Sequence, residues 1–205
     1  MAVSQDYLAT LRRRYAHRRP KWLLPGRCAT IPFGVLPRDL EEAGKAREEA
    51  EVPAGELLRL VYVGVGGPVM RSFGLFCRTL ARVRENAPEA PTAGLRVGLY
   101  GTMMVEGRRP GPLAQVAAAH RVADLVQENP GRVSYCRSLQ LLLAARALIL
   151  GVDDAATMPS KLFTYGYSGK PLLAVVRRDG PAMRSDAWPG GSQCRYGSRP
   201  AARFP

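Results

Sequence analysis

The chain is predicted to adopt an α/β fold, a Rossmann-like parallel sheet with helices on both faces. Two observations predict it. Short aliphatic and β-branched runs, 57–63 (LLRLVYV), 95–100 (LRVGLY), 147–152 (ALILGV) and 171–176 (PLLAVV), have the length of buried strands. Between them lie stretches of helical length, so strand and helix alternate from 57 to 176, the order of a parallel sheet. Right-handed crossovers then bring the segments that follow the strands, 64–67, 101–102, 135–138 and 153–161, to one edge of the sheet.

Taken in order, residues 3–15 read as a helix capped by Ser4, with Tyr7, Leu8, Leu11 and Tyr15 on one apolar face. Arg12, Arg13, Arg14, Arg18 and Arg19 lie mostly elsewhere, as a solvated face or a surface for an acidic membrane or polyanion. Residues 37–55 alternate acidic and basic side chains, carry few large apolar ones, and end in Val-Pro-Ala-Gly; they read as a solvated linker. The strand 57–63 runs into Gly64-Val65-Gly66-Gly67-Pro68, where glycines let backbone amides approach a ligand. A glycine-rich turn after a strand is often only a turn; its place before a helix gives the ligand reading equal standing.

That helix carries Phe73, Phe76, Cys77, Leu80 and Val83 as one buried stripe, which puts Cys77 in the core. The strand 95–100 ends at Gly101-Thr102, and 106–112 reads as a loop. A helix is expected over 113–127, with Val116, Ala119, Ala123 and Val126 inward and His120 at or near its surface, not as a catalyst. Residues 132–135 read as a third strand, and Ser138 as the cap of an apolar helix that leads into 147–152. Pro159-Ser160-Lys161 starts the last helix, and Gly169 with Pro171 stops it. From 179 on, Gly, Pro, Ser and Arg are dense and periodicity is absent, so 179–205 is expected to be a disordered or loosely packed tail without a strand.

Composition narrows the function. The formal charge of +13 is concentrated at the ends: 1–27 holds 7 basic and 1 acidic residues, 177–205 holds 6 and 2, and the middle is nearly balanced at 17 and 14. No aromatic-interleaved basic motif, zinc spacing or basic heptad accompanies it, which argues against nucleic-acid binding. Cys28, Cys77, Cys136 and Cys194 form no CxxC pair, so neither a metal site nor a disulfide framework is indicated. No apolar stretch reaches signal-peptide or membrane-spanning length, and a cytoplasmic location with at most peripheral membrane contact is expected.

The segment 151–176 concentrates the chemistry. The free amides of a helix start, with Lys161 beside them, favour an anion, and phosphate is the obvious one. A first-turn lysine also occurs simply exposed, but an unpaired cation at a helix amino terminus is unfavourable without an anion. Asp153 and Asp154 suit sugar hydroxyls or a metal, and equally a loop in which aspartates cap a turn.

The run MPSKLFTYGYSGKPLLAV, at 158–175, resembles the signature of the carboxyl-terminal, donor-binding domain of GT-B-fold glycosyltransferases. From 57 to 176 the order of elements resembles that domain. TIPFGV (30–35) is similar to the segment that crosses into it, and SQDYLATLRRRY (4–15) to the last helix of the acceptor domain. The resemblance implies a nucleotide-sugar donor as substrate, no cofactor, and an acceptor that is a glycan, a lipid or a small molecule. It implies diphosphate contacts from Gly66, Gly67, Ser160 and Lys161, with Arg71 a second cation, and places Gly64, Thr102, Ser138, Asp154 and Thr164 in the same donor site. No catalytic residue is assigned and no metal is implied.

The implied organisation is a remnant of the acceptor-domain helix and crossing segment over 1–35, a linker over 36–56, a nucleotide-sugar-binding domain over 57–178, and a tail over 179–205. The donor domain would be incomplete at its carboxyl end. Two departures stand out: Ala156 and Thr164 occupy places where many relatives carry paired glutamates, and Arg146 stands where a small residue is usual. The leading function is the nucleotide-sugar-binding portion of a glycosyltransferase, expected not to transfer sugar as this chain alone. Its rivals are a noncatalytic nucleotide-binding or interaction module and a basic RNA-associated protein.

Overall fold

The computed structural model describes residues 2–18, 20–45, 58–87, 94–104, 110–154, 157–178, 180–184 and 195–196. Among the described residues, six parallel strands form one sheet: β1 (Leu58–Val63), β2 (Leu95–Tyr100), β3 (Val126–Asn129), β4 (Ala147–Val152), β5 (Leu172–Arg177) and β6 (Arg195–Tyr196). Their order is β3-β2-β1-β4-β5-β6, so the winding reverses between β1 and β4. The helices are α1 (Gln5–Arg14), α2 (Pro37–Lys45), α3 (Met70–Asn86), α4 (Pro112–Ala119), α5 (Tyr135–Ala144) and α6 (Lys161–Tyr167).

Both faces of the sheet are covered, which is why β1, β2, β4 and β5 read as nearly continuous apolar runs. Leu60, Tyr62, Val97, Leu99, Ile149 and Val175 point to one face and pack with Phe73, Phe76 and Cys77 of α3 and Leu113 and Ala117 of α4. Val61, Leu148, Leu150, Val152, Ala174 and Val176 point to the other and meet Leu139 and Leu142 of α5 and Leu162 and Tyr165 of α6. Cys77 is fully buried, as its place in the α3 stripe requires.

The elements differ from the sequence reading in several places. Within the stretch read as a solvated linker, α2 buries Leu40 and Ala43 against α5, and Asp39 accepts a hydrogen bond from the Tyr135 hydroxyl at 2.9 Å. The third strand is Val126–Asn129, not 132–135, because α4 stops at Ala119. Arg121 there has φ 58°, the Arg121 amide donates to the Ala118 carbonyl and the Val122 amide to the Ala117 carbonyl. That is the Schellman stop, made with arginine in the left-handed position that glycine usually takes.

The cap of α5 is Ser134, whose side chain accepts from the Arg137 amide at 3.2 Å. Ser138 lies one turn further on and donates to the Tyr135 carbonyl at 2.6 Å. In the expected tail, Pro181 and Ala182 are buried and Ala182 joins the core beside α6, while Arg195–Tyr196 pairs with the end of β5. The expectation of a strandless tail is corrected there; the rest of 185–205 lies outside the described residues, as do 46–57 and most of the expected loop 106–112. Near the amino terminus, Ser4 caps α1 as expected, and Leu8 packs with Ala2 and Leu23 in a small separate cluster.

Candidate functional site

A cavity of ≈ 290 Å³ opens at the carboxyl ends of β1 and β4. This is the point where the strand order reverses, the crevice in which open parallel sheets bind ligands. Its walls are the Gly64–Val65 turn after β1, Pro68 and Val69 ahead of α3, the end of β4 through Asp153 and Asp154, and Pro159 and Lys161 at the start of α6.

Lys161 does not extend into solvent. Its Nζ donates to the Tyr62 hydroxyl at 3.0 Å and the Val63 carbonyl at 3.1 Å, and stands 4.2 Å from the Tyr62 ring centroid. Burial without a compensating charge pulls its pKa from 10.5 down to about 8. Gly64 makes this position possible. A Cβ there would come within 2.4 Å of Nζ, and its φ of 134° is one that side chains rarely adopt.

The carbonyl that holds Lys161 is itself clamped. The Tyr165 hydroxyl accepts from the Val63 amide at 3.1 Å and donates to the Val63 carbonyl at 3.3 Å, so α6 fixes the end of β1 from below. The Tyr62 hydroxyl donates to the Val65 carbonyl at 2.7 Å and so holds the glycine turn. Burial raises both phenol pKa values well above the ordinary tyrosine range, and they act as neutral hydrogen-bonding groups.

Two carboxylates reach across the same edge to cap helices. Asp153, just past β4, accepts from the Arg71 amide at 2.8 Å and the Ser72 amide at 2.7 Å, in the first turn of α3. Glu128, on β3, accepts from the Ala114 amide at 2.6 Å and the Leu113 amide at 3.4 Å, in the first turn of α4, and from the Thr102 hydroxyl. Each places negative charge at the positive end of a helix dipole. Sequence reasoning treated Asp153 as a ligand or turn residue and did not single out Glu128. The available signal was an acidic residue at or beside a strand end facing a helix without a Ser, Thr, Asp or Asn cap, since Val69 and Gly111 precede these two helices.

Of the sequence-derived site residues, Gly64, Asp154 and Lys161 share the cavity, Asp154 as an exposed side chain on its wall. The others stand outside its lining. The Gly66 amide donates to the Thr102 carbonyl at 2.8 Å, and a Cβ on Gly66 would sit 3.1 Å from Leu113, so this glycine serves close packing. Gly67 is exposed at the turn that opens α3, and the Arg71 side chain is exposed. Thr102 is buried on Glu128, and Ser138 is on α5. Ser160 precedes α6 without a side-chain cap bond, and Thr164 lies one turn into that helix.

Comparison with solved structures decides the type of fold. The chain superimposes on the UDP-forming alpha,alpha-trehalose-phosphate synthase of Burkholderia xenovorans with a TM-score of 0.59 and 13% identity, over 81% of this chain and 40% of that one. A glycosyltransferase from Rickettsia africae gives 0.59 and 14% over 89% and 45%, and WaaG, a glycosyltransferase involved in lipopolysaccharide biosynthesis, gives 0.56 and 18% over 85% and 43%. The fold is that of the GT-B glycosyltransferases. The chain spans less than half the length of each of these GT-B structures. No protein-family model and no curated protein matches the sequence. Among the described residues, no helix is long and apolar enough to cross a membrane.

Proposed function

We propose that this chain is the nucleotide-sugar-binding portion of a GT-B glycosyltransferase, and that the donor's diphosphate lies against Lys161. The observation that carries the reading is the Lys161 ammonium, which borders the switch-point cavity and forms no ion pair among the described residues. Sugar transfer from a nucleotide diphosphate builds negative charge on the leaving group. A fixed cation in a sheltered site stabilises that charge without having to reorganise. Asp154 on the cavity wall offers carboxylate oxygens to hydroxyls of the donor sugar. The UDP-forming character of the trehalose-phosphate synthase supports a nucleoside diphosphate as the probe to try first.

The acceptor, whether glycan, lipid or small molecule, is the business of a second half-site. Positioning two reactants supplies about 7 to 11 kcal/mol of a barrier, so a chain that holds the donor alone is expected to bind it without transferring the sugar. Titration calorimetry with UDP, GDP and their sugars tests the reading. Lys161→Ala removes a charged hydrogen bond worth about 1.5 to 3 kcal/mol and is expected to weaken binding roughly 10- to 150-fold. Unchanged affinity in that variant, or no saturable binding by the wild type, would refute it.

A second reading, a noncatalytic nucleotide-binding module on the same scaffold, is favoured by Ala156 and Thr164 standing at the places of the paired glutamates. It differs in one measurable respect. A catalytic portion supplied with a complementary acceptor-binding half turns over labelled UDP-sugar, whereas the module binds it and leaves it intact.

A further inference from the structure

The partners of the Lys161 ammonium are neutral: a phenol hydroxyl, a backbone carbonyl and an aromatic face. An ammonium has three N–H donors. Two are used by Tyr62 and Val63, and the third is left for the cavity that Lys161 lines. On β1, Tyr62 stays a neutral phenol, and on α6 Tyr165 does the same. After β4, Asp153 commits both oxygens to the Arg71 and Ser72 amides, and Asp154 is exposed on the wall. On α3, the Arg71 side chain is exposed.

Building on the nucleotide-sugar reading, we infer that the ligand's phosphate is the counter-ion of Lys161 and that the site takes up a proton as it binds this anion. The proton comes from the buffer and adds to the lone pair of Nζ; no bond of the ligand changes. Buried on neutral partners, the ammonium gives up its proton at about pH 8. A phosphate dianion in hydrogen-bond reach favours the charged form and moves that midpoint back up. Above pH 8 more than half of the binding events therefore take up a proton. The linkage makes binding about fourfold weaker at pH 8.5 than at pH 7.

The test is calorimetry of UDP binding in two buffers with different ionisation enthalpies. UDP's terminal phosphate loses its last proton at about pH 6, so binding of the dianion releases about a tenth of a proton from UDP at pH 7 and practically none at pH 8.5. The heats are expected to differ by about three quarters of a proton per UDP at pH 8.5 and by almost nothing at pH 7, where the small uptake by Lys161 and the small release from UDP cancel. The chain has only four lysines, so a pH titration of their 13Cε resonances reads the same proton without any substitution. One of them should titrate near pH 8 without UDP and more than one pH unit higher with it. UDP binding with buffer-independent heat and an unmoved midpoint would overturn this inference and leave the nucleotide reading intact. No UDP binding at either pH overturns the nucleotide reading and this inference with it.

Discussion

Replacing Asp153 tests whether the carboxyl edge is organised by its own carboxylates. Asp153 accepts two short hydrogen bonds, 2.8 and 2.7 Å, from amides in the first turn of α3, and thereby ties the end of β4 to that helix. Each bond to a charged group is worth about 1.5 to 3 kcal/mol, but the site borders an open cavity and water replaces part of the loss. Cap deletions cost about 0.5 to 2 kcal/mol, and a double acceptor belongs at the top of that range. Asp153→Ala is therefore expected to destabilise the chain by about 2 kcal/mol, which lowers the melting temperature by about 4 to 8 °C in a domain of this size. Asp153→Asn keeps one acceptor oxygen and should cost about half as much. Urea denaturation measures the global effect, and hydrogen exchange at the Arg71 and Ser72 amides measures the local one. A loss under about 0.5 kcal/mol with exchange unchanged would refute the capping role. Reduced affinity for UDP-sugar but not UDP, at unchanged stability, would instead make Asp153 a sugar ligand.

Three other outcomes follow from the same geometry. Gly64→Ala brings a Cβ within 2.4 Å of Lys161 Nζ at a φ of 134°; it should cost about 1 to 3 kcal/mol in a melt and abolish UDP binding in calorimetry, and wild-type affinity would sink the argument. Lys161 has a folded pKa of about 8 against 10.5 for the free side chain, so between those values the unfolded chain holds more protons and stability rises with pH. The whole rise amounts to about 3 kcal/mol; Lys161→Met should lack it and be more stable than wild type at pH 7, which urea titrations from pH 7 to 10.5 will show or refute. Thr164 does not line the cavity, so Thr164→Ala should keep UDP affinity within about twofold, whereas a tenfold loss, about 1.4 kcal/mol, would put Thr164 back in the donor site.

The central strands β1, β2 and β4 were legible because helices flank them on both faces, so that they are apolar apart from Arg59 near the start of β1 and Arg96 near the start of β2. β3 escaped for the same reason: at the edge of the sheet, VQEN buries only alternate side chains in part and carries no apolar run. Its neighbour α4 hid its own end, since the left-handed residue that stops it is Arg121 and glycine is the signal one looks for. The helix α2 left a fainter trace. In α5, Leu139, Gln140, Leu141 and Leu142 are consecutive and all buried, which no helix lying on a sheet with one side in water achieves. That apolar run requires a second layer over α5, and Leu40 and Ala43 of α2 supply it.

The candidate site was legible in its backbone and not in its charges. Glycines after β1 and a lysine at the start of α6 are local signals, and topology alone brings them together. The partners that decide where an anion goes are far apart in sequence: Asp153 is 81 and 82 residues from the amides it caps, and Glu128 is 14 and 15 from its own. Their effect is to neutralise, from within the chain, the positive starts of α3 and α4, where a reading by motif places a phosphate. The amides of Gly64 and Gly66 are likewise spent, on the carbonyls of Tyr100 and Thr102. Among the residues lining the cavity the cation is Lys161, which holds only neutral partners and lies opposite the glycine that makes room for it. A diphosphate bound in this cavity would therefore gain most from Lys161, the lining cation that forms no ion pair among the described residues, and a substitution that placed a carboxylate in contact with its ammonium would close the site by supplying its counter-ion in advance.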